Sequence, residues 1–120
     1  MTESLVARAG LITWWEGHDW YVLGLTKVRI VGPSMEPEIR NGDTYIAATG
    51  LRPRVGGVVV LRHPDRPNLL TVKRVVREES EGWWVEGDNP EHSTDSRQFG
   101  LVSSDDIIGR LLVRIGRRRR

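Results

Sequence analysis

The sequence predicts an all-β domain, an antiparallel β barrel or sandwich with few helices. Two observations carry that expectation, and a third agrees with it. From residue 28 onward six or so short apolar runs follow one another. Gly, Pro, Asn and Asp clusters separate them at the spacing of turns. No internal repeat or long linker interrupts the series, so one domain of ordinary size accounts for 120 residues.

The elements follow in order. Residues 1–27 form an aromatic-rich N-terminal segment with Trp14, Trp15, Trp20 and Tyr21. Within it Ser4–Trp15 is compatible with a short helix, because Leu5, Ala9, Ile12 and Trp15 fall near one face. Its aromatics either pack across the open side of the main domain or form an interfacial anchor, since Trp and Tyr favour half-wet sites. The main domain spans 28–116. Val28–Val31 alternates as a strand and Gly32-Pro33 ends it. Asn41-Gly42-Asp43 is a turn before a strand at Thr44–Ala47, and Val55-Gly56-Gly57 leads into the apolar strand Val58–Leu61. His63–Asn68 reads as a Pro-rich loop, Leu69–Val76 as a strand, Glu79–Gly82 as a hairpin turn and Trp83–Glu86 as its return. Gly87–Gly100 is polar, and Ile107–Ile115 is the final strand. Arg117–Arg120 reads as a solvated basic tail.

Composition narrows the function. Eighteen Lys and Arg against sixteen Asp and Glu give a net charge of +2, and without the tail fourteen basic residues face sixteen acidic ones. The folded body therefore carries no signature of a nucleic-acid binder. The absence of cysteine excludes disulfides, thiol nucleophiles and thiolate metal sites. The longest apolar candidate, Leu11–Leu25, is broken by Glu16, His18 and Asp19, so no membrane span is expected. The acidic start Met1-Thr2-Glu3-Ser4 is unlike a secretory signal, and a soluble cytoplasmic chain is expected, with peripheral membrane contact through the aromatics as the alternative. His18, His63 and His92 are scattered without metal spacing, and no Gly-rich phosphate loop precedes a helix, so no metal or cofactor is expected.

Three features remain as candidates for chemistry. Ser34 follows a strand between Gly32-Pro33 and Pro37, on a backbone rigid enough to expose a hydroxyl and aim its own N–H outward. Lys73 is one of only two lysines and lies inside the apolar strand Leu69–Val76, sharing a face with Thr71 and Val75. A strand lysine commonly protects a sheet edge. Facing inward, it loses solvation and becomes a neutral amine near pH 7, which beside a serine hydroxyl makes a nucleophile–base pair. The third feature, Gly87–Gly100, reads as an exposed polar loop or as one shaped by a local Asp95–Arg97 ion pair.

Taken together, Ser34-Met35-Glu36-Pro37, Gly42-Asp43, Lys73-Arg74 and Gly87-Asp88-Asn89 through Ser93-Thr94-Asp95-Ser96-Arg97 to Gly100 resemble the boxes of the signal-peptidase family of Ser/Lys proteases. That S26 group is related to the self-cleaving repressor proteases. The stretches Val31–Met35, Val58–Pro64 and Gly82–Pro90 are similar to the maturation proteases of nickel-type superoxide dismutase. The resemblance implies a serine endopeptidase that removes an N-terminal leader from a protein precursor, without a cofactor. It implies Ser34 as nucleophile, Lys73 as general base, Ser93 as the hydroxyl that orients the lysine, and the Ser34 N–H as oxyanion donor. It also implies structural ion pairs Asp95–Arg97 and Asp88–Arg74, and Met35 lining the cleft. Three positions depart from the family pattern. Gly32 replaces a hydroxyl that serves as second oxyanion donor, Glu38 replaces a Thr, and Gly56-Gly57 replaces Gly-Asp. A general signal peptidase working at a membrane and a non-catalytic binding domain of the same fold are the alternative readings.

Overall fold

Alternation is visible residue by residue in the strand that precedes Ser34. Thr26, Val28 and Ile30 are buried, whereas Lys27 and Arg29 between them are exposed, the pattern of a strand with one face on a core. The computed structural model describes residues 4–8, 11–12 and 24–117. The strands are β1 (Ser4–Arg8), β2 (Leu11–Ile12), β3 (Gly24–Val31), β4 (Thr44–Thr49), β5 (Val58–His63), β6 (Arg66–Glu79), β7 (Gly82–Glu86) and β8 (Ile107–Gly116). One short helix, α1 (Ser96–Phe99), lies between β7 and β8. Strands β3 to β8 form an open antiparallel sheet in the order β3-β4-β8-β5-β6-β7. The fold is thus all-β with little helix. β1 joins β3 in parallel, and β2 pairs with both β1 and β6, so the two short strands link the β3 end of the sheet back to β6.

β5 is the centre of the packing. It sits between β8 and β6, and Val58–Leu61 are all buried, as expected of a strand covered on both faces. Val58 and Val60 join a cluster with Val28, Ile30, Met35, Ile39, Ala47, Leu70, Val72 and Ile108. Val59 and Leu61 point the other way, into a cluster with Val75, Trp83, Val85 and Val102. β6 divides its side chains in the same manner: Leu70 and Val72 enter the first cluster and Val75 the second, which puts Thr71 and Lys73 on the second face.

Two expectations are corrected here. Residues 4–8 and 11–12 are strands, so the short N-terminal helix is not formed. Gly10 disfavours a helix interior by about 1 kcal/mol, and the open edge of β3 offers main-chain partners that a strand satisfies. Trp14, Trp15, Trp20 and Tyr21 lie outside the described residues. The expected loop His63–Asn68 is shorter: β5 runs to His63 and β6 begins at Arg66, with Pro67 in the exposed start of β6 where a missing N–H is tolerated.

Candidate active site

Ser34 sits in the loop joining β3 to β4, and apolar anchors set its place. Met35 and Ile39, one helical turn apart, are buried in the first cluster, with Ile39 N–H donating to the Met35 carbonyl at 3.1 Å. Gly32, at φ 101°, turns the chain out of β3, and its N–H donates to Asn41 Oδ1 at 2.8 Å. Met35 was expected to line a cleft; at 1% exposure it instead pins the loop to the core. Its unbranched apolar side chain fills space between β3 and β5 that a loop residue would otherwise leave empty. Ser34 itself is fully buried, and its Oγ has no hydrogen-bond partner among the described residues. An unpaired buried hydroxyl costs about 1–3 kcal/mol, so this one is a departure from ordinary packing.

Lys73 is 1% exposed, directly across from Val59 and flanked along β6 by Thr71 and Val75. Burial lowers its pKa to about 8, although the Asp95 carboxylate pulls it back up; Arg97 adds to the fall. At pH 7 roughly one such lysine in ten is a neutral amine, against fewer than one in a thousand in water. Thr71 Oγ1, on the same face, is likewise buried without a partner. Lys73 and Thr71 form part of the wall of a cleft of about 500 Å³, together with His63, Leu69, His92 and Thr94. Ser34 is not in that wall. No hydrogen bond joins Ser34 Oγ to Lys73 in this structure.

The segment 87–100 ties these two regions together through Asp95. Asp95 caps α1: its carboxylate accepts from Arg97 N–H at 3.1 Å, and Gln98 Oε1 accepts from Asp95 N–H at 2.9 Å, completing a capping box. The same carboxylate takes Arg97 Nε at 2.9 Å and Nη2 at 2.6 Å, Gly87 N–H at 2.8 Å and the Ser93 hydroxyl at 2.7 Å. Burial alone would raise its pKa, but the bonds from Arg97, Gly87 and Ser93 hold it well below the usual carboxylate range. Ser93 therefore donates its proton to Asp95, which leaves an oxygen lone pair able to receive a lysine N–H. Gly87 is the point of closest approach. A Cβ there would collide with Ser93 Oγ and lie 2.8 Å from the Ser34 carbonyl oxygen. Asn89 then clamps the Ser34 loop, its N–H on the Ser34 carbonyl at 2.9 Å and its Nδ2 on the Pro33 carbonyl at 3.0 Å.

A second arginine braces the rim. Arg74 grips Asp88 with two bonds of 2.9 and 2.8 Å, reaches Glu38 Oε1 at 3.2 Å and donates to the Gly56 carbonyl at 2.8 Å. Glu38, one of the departures from the family pattern, thus meets the same guanidinium as the Gly56 carbonyl. Arg117, assigned by sequence to a solvated tail, pairs with the fully buried Asp43 at 2.9 and 3.0 Å. Sequence reasoning named Ser34, Lys73, Ser93, Asp88, Arg74, Asp95 and Arg97. Segment 87–100 holds the Ser34 carbonyl, Ser93 and Arg97 meet on Asp95, Arg74 meets Asp88, and Lys73 feels the charge of Asp95 without a hydrogen bond to Ser34. Sequence reasoning missed Gly87 and Asn89 as positioning residues and His63 and Thr71 as cleft walls. The first two stand inside a motif already singled out; for the other two the only signal was the two-residue period that puts Thr71 beside Lys73.

Comparison with known proteins fits this architecture. The family described as Peptidase S24-like matches residues 24–112. The chain is 33% identical over 108 residues to mitochondrial inner membrane protease subunit 1 of Xenopus tropicalis, covering 70% of this chain and 65% of that protein. It is 32% identical over 119 residues to the Homo sapiens subunit 1, covering 79% and 70%. It is 31% identical over 124 residues to mitochondrial ATP-independent inner membrane protease subunit 1a of Arabidopsis thaliana, covering 81% and 73%. The chain therefore spans about two thirds of the length of these relatives. Their names overturn the expected cytoplasmic location: relatives that share this domain are membrane proteases, and the acidic start and missing apolar run that suggested a cytoplasmic chain do not decide where it works. Among the described residues no helix is long and apolar enough to cross a membrane. With a family match across β3 to β8 and these protease relatives, the chain belongs to the Peptidase S24-like family.

Proposed function

We propose that the protein is a serine endopeptidase in which Ser34 is the nucleophile and Lys73 its general base, and that it removes an N-terminal leader from a protein precursor. One observation carries this reading: the same Gly87–Arg97 segment holds the carbonyl of Ser34, whose buried hydroxyl has no partner, and brings the charges of Asp95 and Arg97 to bear on buried Lys73, whose pKa is about 8. Ser34 Oγ attacks the scissile carbonyl carbon while neutral Lys73 takes its proton. The carbonyl oxygen becomes an oxyanion that the Ser34 N–H receives. The tetrahedral carbon then expels the leaving amine, which takes the proton from the lysine ammonium, and leaves an acyl-serine. Water attacks that ester with its proton passing to Lys73, and return of the proton to Ser34 frees the leader and the enzyme. Ser93, held by Asp95, orients the lysine amine.

The first precursor to try is that of a nickel-type superoxide dismutase, on the resemblance of Val31–Met35, Val58–Pro64 and Gly82–Pro90. Incubation of that precursor with wild type, Ser34→Ala and Lys73→Ala, followed by N-terminal sequencing, tests the reading. Cleavage by wild type and its loss in both variants is the expected result. Full cleavage by either variant would end the dyad. A wild type that neither cleaves nor reacts with a serine-directed acylating probe is a binding domain instead. The relatives' names, inner membrane protease subunits, favour a second reading in which the cleavage takes place at a membrane. Flotation with liposomes separates the two: recovery wholly in the soluble fraction ends the membrane reading.

A further inference from the structure

β3 leads into the Ser34 loop and has β4 along only one edge. β6 carries Lys73; β5 covers one edge through Arg74, while β7 covers the other only from Arg74 onward. The edge of β6 at Leu70–Lys73 therefore has no partner from β7. The strands that lead to the candidate nucleophile and the candidate base each present an open edge, a ready template for an added strand.

The chain's own N-terminal strands fill both edges. β1 runs parallel to β3, from Ser4 beside Lys27 to Arg8 beside Val31. The chain then reverses, with Arg8 opposite Leu11 and Ala7 opposite Ile12. β2 continues antiparallel to β6, Leu11 beside Thr71 and Ile12 beside Leu70. The reversal thus lies level with Val31, three residues before Ser34, and with Thr71, two residues before Lys73. An extended peptide that replaced this hairpin would draw main-chain hydrogen bonds from the edge it lies along, β3 or β6, with little demand on its sequence, which suits a leader substrate. A peptide running in the direction of β1 would continue toward Ser34, whereas the resident hairpin turns back before reaching it.

We propose that β1 (residues 4–8) and β2 (residues 11–12) are a built-in occupant of the substrate slot, and that an extended leader must displace them from β3 and β6 to reach Ser34. The inference rests on Ser34 and Lys73 being the peptidase pair. A tethered occupant competes at high effective concentration, so it weakens apparent substrate affinity without changing the chemical step.

The test is the full chain carrying Val6→Pro and Ala7→Pro, which remove one amide donor from each edge of β1. A labelled peptide of residues 4–12 is expected to bind this variant about tenfold more tightly than wild type, and KM for the precursor is expected to fall about tenfold at unchanged kcat. The same peptide should compete with the precursor. Equal binding to both proteins, an unchanged KM or lack of competition would overturn the proposal. Should the variant fail to fold, hydrogen exchange on the unmodified chain decides. Saturating peptide should raise exchange of the resident Leu5–Arg8 amides and leave Val28–Val31 protected, and unchanged exchange at Leu5–Arg8 overturns it. A wild type that neither cleaves nor acylates at Ser34 defeats the peptidase reading, while the peptide-binding result still decides who fills the slot.

Discussion

Residues 32–43 and residues 87–100 meet at Ser34, yet they are held in opposite ways. The first loop relies on Met35 and Ile39 sunk in the core and on main-chain bonds, and it leaves the Ser34 hydroxyl unpaired. The second is organised around one buried carboxylate, Asp95, whose oxygens take bonds from Arg97, Gly87 and Ser93. Apolar anchoring places a backbone without engaging its polar side chains, so the Ser34 hydroxyl is left without a partner. The charge network does the reverse: it uses its polar groups fully and thereby makes a rigid surface against which the other loop rests. The difference teaches where chemistry and where scaffolding reside in this site.

The largest effect should come from the scaffold. Asp95→Asn leaves Arg97 only Glu86, at 3.9 Å, as a counter-charge and weakens the cap of α1. It is expected to lower unfolding free energy by about 3–5 kcal/mol and to abolish cleavage, as denaturant melts and precursor digestion would reveal. A loss below about 1 kcal/mol would mean that the carboxylate is not the organiser.

Next in size is the cost of burying Lys73. Its pKa falls from 10.5 to about 8 in the folded state, so between those values the unfolded chain binds more protons. Wild-type stability relative to Lys73→Met should therefore rise with pH through that window, by at most about 3 kcal/mol, and stay level below pH 8. A difference that is flat from pH 7 to 11 would place the amine in water.

Gly87→Ala sharpens the contact between the two loops. The new methyl must push Ser93 and the Ser34 carbonyl apart, and an expected loss of about 100-fold in kcat/KM with a smaller stability change would show that loop spacing sets the reactive geometry. The smallest effect should follow Arg117→Ala. It removes an ion-pair partner of buried Asp43, and neither residue is among the charges that shift Lys73, so Tm should fall while the pH dependence of cleavage keeps its midpoint.

Much of this was legible in the sequence because it is local. The alternation of Val28–Val31, the solid apolar run Val58–Leu61 and the turn residues between them follow from side-chain period and backbone freedom, and Asp95–Arg97 pair across one turn of chain. What was not legible is tertiary. Alternation puts Lys73 on a face but does not say which face is wet. Asn89 reaches Pro33 and Arg117 reaches Asp43 across separations of 56 and 74 residues, which no local pattern encodes. The N-terminal segment misled for the same reason: Leu5, Ala9 and Ile12 suit a helix, but the open edges of β3 and β6 are properties of the folded sheet.

The central claim is that buried Lys73 supplies the base for Ser34, and acylation of the full chain by a fluorophosphonate tests it without knowledge of the substrate. The labelling rate at Ser34 should climb about tenfold per pH unit and level off with a midpoint near 8, and it should vanish in Lys73→Met. Labelling that is flat from pH 6 to 10, or that survives in Lys73→Met, would contradict the account.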